Sequence, residues 1–567
     1  MQAGMLYLYI SKGRIKIKFK YDPSLVFKIR SLKGRKFYGG EKPYWTADVC
    51  TNNISLLSSF GNLHPSKKYI KIAINILDSH LKKKKKKKLS IKNFTGILKP
   101  YQKKGVEWFE KTNGKALLAD EMGLGKTVQV IAWLLLRPEI RPALIVMPAS
   151  LKINWADEFK KFAKNTDIIT ISGRAKNQTM PINDNAIYLI NYDIIANSRK
   201  DVILKNGKTK TEVLNETGWV DHIIKKLKPL VIVMDESHFI ANNSAYRTKD
   251  LKKICRKTEH VICLSGTPIS RKPMQLWNAI NAIDKTVFPS YFRFTQRYCN
   301  PKHNGFGWVY KGVTHADELH NILTSTIMLR RTKKQVLKEL PDKVRQAIPV
   351  DIINRKEYSK AEKNFIDWLQ KTDPKAVDAA AEAESLVKME KLKQLCIKGK
   401  GKQCVEWVKN YLEQNDKLIL YGIHTDTIER MHKHFPKISV IHYGGMSSKQ
   451  KQKSVDAFQN NPEIKLIIGN LKSLGTGYNL TAANATCTIE VTSDPGLHDQ
   501  GEDRVHRIGQ EADSVLAYYI IAADTVEVDM MKMLDYNRSV VASIIDGKEV
   551  EEKDLLTGLL KRAKNKS

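Results

Sequence analysis

The sequence predicts an α/β chain built from two parallel-sheet lobes, preceded by a small, strongly basic α/β module. Three observations carry that expectation. Short apolar runs alternate with helical stretches from about residue 96 onward, charged or glycine-rich motifs follow those runs, and the basic excess is concentrated at the amino end.

At 567 residues the chain has room for two or three domains with proper cores. The formal charge is +37, and residues 1–96 hold 22 Lys/Arg against 4 Asp/Glu, about half of the excess. A field of that sign attracts polyanions, and nucleic acid is the expected partner. An anionic membrane is the alternative, but no apolar stretch reaches spanning length, so no membrane partner is expected. Seven cysteines, at 50, 255, 263, 299, 396, 404 and 487, contain no CxxC pair, so neither structural zinc nor a disulfide scaffold is expected. The amino end shows no apolar leader, so a reducing compartment is expected.

Residues 6–21 alternate polar and apolar and read as two strands around a Ser11-Lys12-Gly13 turn. Residues 24–33 read as a helix, followed by Gly34-Arg35-Lys36-Phe37-Tyr38 and a loop leading to Trp45. The module ends in Lys82–Lys88, an unbroken lysine run that is either solvated surface or a non-specific phosphate contact. Buried parallel strands are expected at Ala116–Ala119, Ala143–Met147, Ala186–Ile190, Leu230–Met234 and Val261–Leu264. Residues 288–415 read as helix-rich and highly charged, with Asp373–Glu384 an exposed helical insertion. A second strand set is expected at Lys417–Tyr421, Ile438–His442, Lys465–Ile468, Cys487–Val491 and Val515–Ile521.

The chemistry lies where these strands end. After Ala116–Ala119 comes Asp120-Glu-Met-Gly123-Leu-Gly125-Lys126-Thr127, a turn whose glycines let backbone N–H groups converge on phosphate oxygens. Lys126 would neutralise the β/γ charge and Thr127 would sit on Mg²⁺, although Asp120 stands where a strict P-loop has glycine. A tightly packed glycine turn is the alternative. Leu230–Met234 runs into Asp235-Glu236-Ser237-His238, where Asp235 can hold Mg²⁺ and Glu236 can polarise an attacking water. Ser265–Ile269 fits a loop that senses nucleotide state. Gly475–Leu480 is a second glycine turn, and Gln500–Gln510 carries Arg504 and Arg507, three apart and so expected on one helix face. Their planar cations suit a γ-phosphate in transfer, against the alternative of a surface basic pair.

These segments, in this order, resemble motifs I, II, III, V and VI of the Swi/Snf-like helicase-related ATPases of superfamily 2. Leu98–Gln102 is similar to the family's adenine-reading segment, with Gln102 as the reader, and Leu144–Leu151 with Trp155 resembles motif Ia. Lys417–Thr425 with the 442–445 stretch resembles motif IV. Ser493-Asp494-Pro495-Gly496 departs from the usual Trp-Asn-Pro. The amino-terminal module resembles the HARP domain found beside the motor in annealing helicases. There Lys18, Lys20, Arg30, Arg35, Lys36, Tyr38 and Trp45 would supply phosphate contacts and a stacking platform, or Trp45 and Tyr38 would fill its core.

The resemblance implies two RecA-like lobes of the P-loop NTPase type with helical insertions. It divides the chain into a HARP-like module with its linker (1–90), an ATP-binding lobe (96–287), a helical protrusion (288–415), a second lobe with a brace helix at Thr525–Lys548 (416–550) and a basic tail (551–567). It also implies ATP and Mg²⁺ as cofactors, Lys126, Asp235, Glu236, Arg504 and Arg507 as catalytic groups, and Gln102, Gly123, Gly125, Lys126, Thr127 and Gly475 as nucleotide contacts. The implied activity is a DNA-dependent ATPase that moves on duplex DNA and remodels or reanneals forks. An ATP-gated clamp with little translocation and a strand-separating helicase are the other readings. Expected partners are double-stranded or forked DNA and a single-stranded-DNA-binding protein. The chain is expected to act as a monomer, in the cytoplasm of a bacterial or phage-infected cell or in a eukaryotic nucleus.

Overall fold

The computed structural model of the protein describes residues 5–11, 14–30, 32–41, 43–58, 63–65, 90–176, 178–203, 209–214, 217–269, 272–303, 308–310, 312–337, 339–371, 379–475 and 477–546. The Lys82–Lys88 run, Thr476, residues 372–378 of the expected insertion and the 551–567 tail lie outside them.

The amino-terminal module is a five-stranded sheet of β1 (Leu6–Ser11), β2 (Arg14–Lys18), β3 (Lys36–Tyr38), β4 (Tyr44–Asp48) and β5 (Leu63–Pro65), in the order β3-β4-β2-β1-β5. The expected hairpin forms, with Tyr7 opposite Lys18 and Tyr9 opposite Lys16. Alternation does the sorting: Leu6, Leu8, Ile15, Ile17 and Ala47 are buried on one face while the residues between them stay outside. Helices Pro23–Ile29 and Thr51–Ser58 accompany the sheet, the second lying against the helix Ala316–Thr326. Lys28 Nζ is 3.6 Å from Glu318, which Arg297 holds at 2.6 Å.

The next sheet has seven parallel strands. They are β6 (Lys115–Leu118), β7 (Ala143–Met147), β8 (Ile168–Thr170), β9 (Ile187–Asn191), β12 (Val231–Met234), β13 (His260–Leu264) and β16 (Met328–Leu329). Two hairpins, β10 (Ser198–Ile203) with β11 (Thr209–Leu214) and β14 (Pro301–His303) with β15 (Trp308–Tyr310), interrupt the series. The sheet order is β16-β6-β13-β12-β7-β9-β8. Every residue of β7, β9, β12 and β13 is buried, as continuous apolar runs require when helices cover both faces. The helix Lys126–Leu136 supplies Val130, Ile131, Trp133 and Leu134 to this core.

A second parallel sheet comprises β17 (Asp342–Val350), β18 (Leu418–Gly422), β19 (Ser439–His442), β20 (Leu466–Asn470), β21 (Ala485–Thr488) and β22 (Ser514–Ala522). Its order is β17-β22-β21-β18-β20-β19. Two RecA-like lobes are thus present. The 288–415 stretch is helix-rich as expected, with its longest helices at Arg355–Lys371 and Ala379–Gln414, but it also gives β16 to one sheet and β17 to the other. In β17 most residues are exposed and only Lys343, Ile348 and Val350 are partly covered, so no apolar run marks the strand. The strand expected at Cys487–Val491 lies earlier, at Ala485–Thr488.

The chain divides into two compact units, the first holding the amino-terminal and seven-stranded sheets, the second the six-stranded sheet. The chain crosses between them more than once, and one crossing lies between Thr332 and Lys333. Among the described residues no helix is long and apolar enough to cross a membrane.

Candidate nucleotide site and nucleic-acid surface

In the seven-stranded sheet β13 lies between β6 and β12, and all three run parallel. Their carboxyl ends therefore present the glycine turn, Asp235-Glu236 and Ser265–Ile269 along one edge. Gly123 and Gly125 take left-handed backbone, at φ 81° and 71°, immediately before the helix that starts at Lys126. A Cβ on Gly125 would come within 2.6 Å of Gln102 Nε2, so the turn is closed to larger residues on two grounds. Gln102 itself is buried, donates to Leu124 O at 3.3 Å and accepts from Lys99 N at 2.9 Å. It sits against the phosphate turn.

Lys126 Nζ donates to Asp120 O at 2.9 Å and to Glu121 O at 3.4 Å. Burial lowers its pKa, while the charges of Glu236, Asp120 and Asp235 pull the other way. Asp235 accepts from Trp155 Nε1 at 2.8 Å and from the Glu236 N–H at 2.9 Å. Burial and then the neighbouring Glu236 push its pKa up to about 6, against the Trp155 hydrogen bond and Lys126. Two adjacent carboxylates held this way are a ready site for a cation. Glu236 adopts left-handed backbone at φ 49°, a strained conformation for a residue with a Cβ, and its Oε2 lies 3.3 Å from His238 Nδ1. His238 in turn reaches Ser265 Oγ at 3.5 Å, and Ser265 Oγ accepts from Thr267 N at 3.2 Å. The acid pair and the Ser265 turn are thereby connected.

Asp120 has a different task from the glycine whose place it takes. Its carboxylate is fully buried and paired with Arg331, whose Nε is 2.9 Å from Oδ1 and whose Nη2 bonds Oδ2. Arg331 also donates to Gln129 Oε1 at 2.8 Å and to the Tyr101 carbonyl. The turn is braced from beneath by this ion pair. Nothing local in the sequence marks Arg331 as that partner.

In the second unit, helix Pro495–Glu502 starts on an Asp494 side-chain cap to Gly496 N at 2.9 Å, with Pro495 in its first turn. The Ser-Asp-Pro-Gly departure is therefore a good helix start. The helix ends at Glu502, so Arg504 and Arg507 lie in the turns beyond it and not on one helix face. Arg504 is buried, donating to Gln500 O at 3.0 Å and Tyr478 O at 2.9 Å, and Leu480 N donates to Arg504 O at 3.2 Å. Arg507 is half-buried and donates to Asp503 O at 2.9 Å. The glycine turn with Gly475 and the arginine loop are thus stitched together. Beneath the loop, Glu502 is held by Arg345 at 2.6 Å, Lys343 at 2.9 Å and Arg538 at 3.1 Å. Burial alone would raise its pKa; Lys343, Arg345 and Arg538 overcome that and hold it well below the carboxylate range.

The amino-terminal module separates the expected contacts. Tyr38 is opposite Tyr44 and stacks on it, ring centroids 4.9 Å apart at 10°. Lys16 Nζ sits 3.8 Å over the Tyr44 ring. Lys16 and Lys18 alternate with buried Ile15 and Ile17, and the strand register puts exposed Lys36 and Tyr38 on the same open face, with exposed Tyr9 beside them. Trp45 belongs to the other face, opposite Ile17 and 5.0 Å from the Phe37 ring. Arg30 lines a small cavity with Phe288 and Arg293, and Arg35 donates to Leu32 O at 3.3 Å. Lys20 is exposed just past β2.

A family model, the SNF2-related domain, matches residues 101–405, more than half of the chain. The chain belongs to the SNF2-related family. The helicase conserved C-terminal domain matches residues 388–509. Among curated proteins, the Homo sapiens "DNA annealing helicase and endonuclease ZRANB3" is 30% identical over 469 residues, covering 80% of this chain and 41% of that protein. A Caenorhabditis elegans "SWI/SNF-related matrix-associated actin-dependent regulator of chromatin subfamily A-like protein 1 homolog" is also 30% identical, over 78% of this chain and 61% of its own length. The chain thus spans about half the length of these relatives. A solved Sulfolobus solfataricus SWI2/SNF2 ATPase core in complex with dsDNA is 25% identical, covering 83% of this chain and 98% of that one at a TM-score of 0.38.

Proposed function

We propose that this chain is a DNA-stimulated ATPase that tracks along duplex DNA and remodels or reanneals forks. One observation carries the reading: Lys126, Asp235 and Glu236 converge at the carboxyl ends of the two strands that flank β13 in a chain of this family. The backbone N–H groups of residues 123–127 and Lys126 would hold the triphosphate. Thr127 and Asp235 would hold Mg²⁺, which supplies charge neutralisation between the β- and γ-phosphates. Glu236 accepts a proton from the attacking water, and its strained backbone presents the carboxylate at the strand end. Arg504 and Arg507 are the cations proposed for the γ-phosphate, and Gln102 would orient the adenine. Relatives named as annealing helicases support forked or duplex DNA as the substrate.

The module's open face, with Tyr38, Tyr44, Lys16 and Lys18, is the surface for unpaired bases at a fork. Replacing Tyr38 and Tyr44 with alanine should weaken binding to forked DNA by about 1–3 kcal/mol per stacked base while linear-duplex binding changes little. Trp45→Ala should instead lower the melting temperature. Fluorescence anisotropy on the two DNAs checks this, and equal loss on both would remove the fork-reading role. Lack of ATP turnover in response to any DNA would end the motor reading itself.

A further inference from the structure

The crossing between the two units at Thr332 and Lys333, one of several, is anchored on both sides. On the first side, Arg330 Nη1 donates to Ala119 O at 2.8 Å and to Gly266 O at 3.4 Å, and Arg331 grips Asp120. Those acceptors belong to the phosphate turn and to the Ser265–Ile269 turn. On the second side, Lys333 is 3% exposed, donates to His506 O at 2.6 Å and lies 2.9 Å from Asp503. Asp503 and His506 flank Arg504 in sequence and precede Arg507. Four consecutive residues therefore hold the phosphate turn at one end and the arginine loop at the other. Arg331 and Lys333 are two residues apart, a span of at most ~7 Å, so little slack separates the anchors.

We propose that Arg330–Lys333 is a coupling strap, with Arg331 and Lys333 as positioning residues that keep the arginine loop in register with the phosphate turn through the ATPase cycle. This rests on the ATPase reading above. Buried ion pairs that served stability alone would show up in melting and leave turnover in the folded protein intact. A strap makes the opposite demand: length and anchoring matter to turnover even where the fold is unchanged.

The test uses the full chain with three changes: Gly-Gly inserted between Thr332 and Lys333, Lys333→Met, and Lys343→Met. Lys343 also pairs with Asp503, at 3.1 Å, but lies on β17, outside the strap. The insertion and Lys333→Met should bind ATP as the parent does, and the insertion should melt with it. Their turnover should fall about tenfold or more, since a ~1 Å misplacement of reacting groups costs up to ~10²-fold. Lys343→Met, which loosens the same carboxylates from outside the strap, should lose clearly less turnover than Lys333→Met. Parental turnover in the insertion variant, or equal losses in Lys333→Met and Lys343→Met, would overturn the strap. Should Lys333→Met melt early, the insertion variant, which keeps both anchors, decides alone. A parent whose turnover ignores every DNA ends the motor reading, and the strap is then judged on basal turnover by the same criterion. A parent that hydrolyses no ATP ends both.

Discussion

Glu236→Gln should bind ATP as tightly as the parent and hydrolyse it about 10²–10⁴-fold more slowly, the usual contribution of a positioned general base. The amide keeps the size of the side chain and its place beside His238 Nδ1, 3.3 Å away, but cannot accept the proton of the attacking water. Asp235, next to it, is committed to Trp155 and to the Glu236 N–H and cannot take over the role. Equilibrium binding of a fluorescent ATP analogue and single-turnover hydrolysis separate the two effects. Parental hydrolysis would move the base elsewhere; lost binding would make Glu236 a structural or cation-holding group.

The largest loss of stability is expected from Asp120→Ala. It strands the Arg331 guanidinium in a buried setting, where only Gln129 and the Tyr101 carbonyl remain to receive it. Removing one partner of a buried pair costs about 3–5 kcal/mol, a large share of the ~5–15 kcal/mol that holds a typical domain together. Asp120→Asn keeps an acceptor for Arg331 and should lose less. Urea unfolding followed through the first unit measures both. A denaturation midpoint unchanged in Asp120→Ala would mean that Arg331 is satisfied without Asp120, and the brace beneath the phosphate turn would have to be reassigned.

Strands were legible where apolar runs were unbroken. Ala143–Met147 is a strand over the expected residues, and four more central strands differ from expectation by a residue or so at an end. Such runs need burial on both faces, and helices on both faces supply it. β17 escaped because a largely exposed edge strand needs no apolar run, and β16 because two residues carry no periodicity. The three-residue spacing of Arg504 and Arg507 suggested a helix, but the chain leaves the helix at Glu502. There the Asp503 N–H turns back to Asp499 O and Gly501 O. The groups proposed to touch reacting atoms were readable from local motifs. The cations that brace them, Arg331, Lys333, Arg345 and Arg538, were not, because each meets its carboxylate across 36 to 211 residues of chain. Long-range ion pairs leave no local pattern. The module's surface was half legible: its basic and aromatic content was plain, but the pleat decides which face each residue takes, setting Tyr38 outward and Trp45 inward.

The central claim is that DNA drives the ATP cycle of this chain. It is tested most directly by steady-state ATP turnover, at one fixed salt concentration, without DNA and with single-stranded, linear duplex and forked DNA. Turnover should rise about tenfold or more with duplex and highest with forked DNA, because phosphate contacts capture the duplex while the aromatic face adds affinity for unpaired bases. A rate that stays the same across all four conditions would contradict the account.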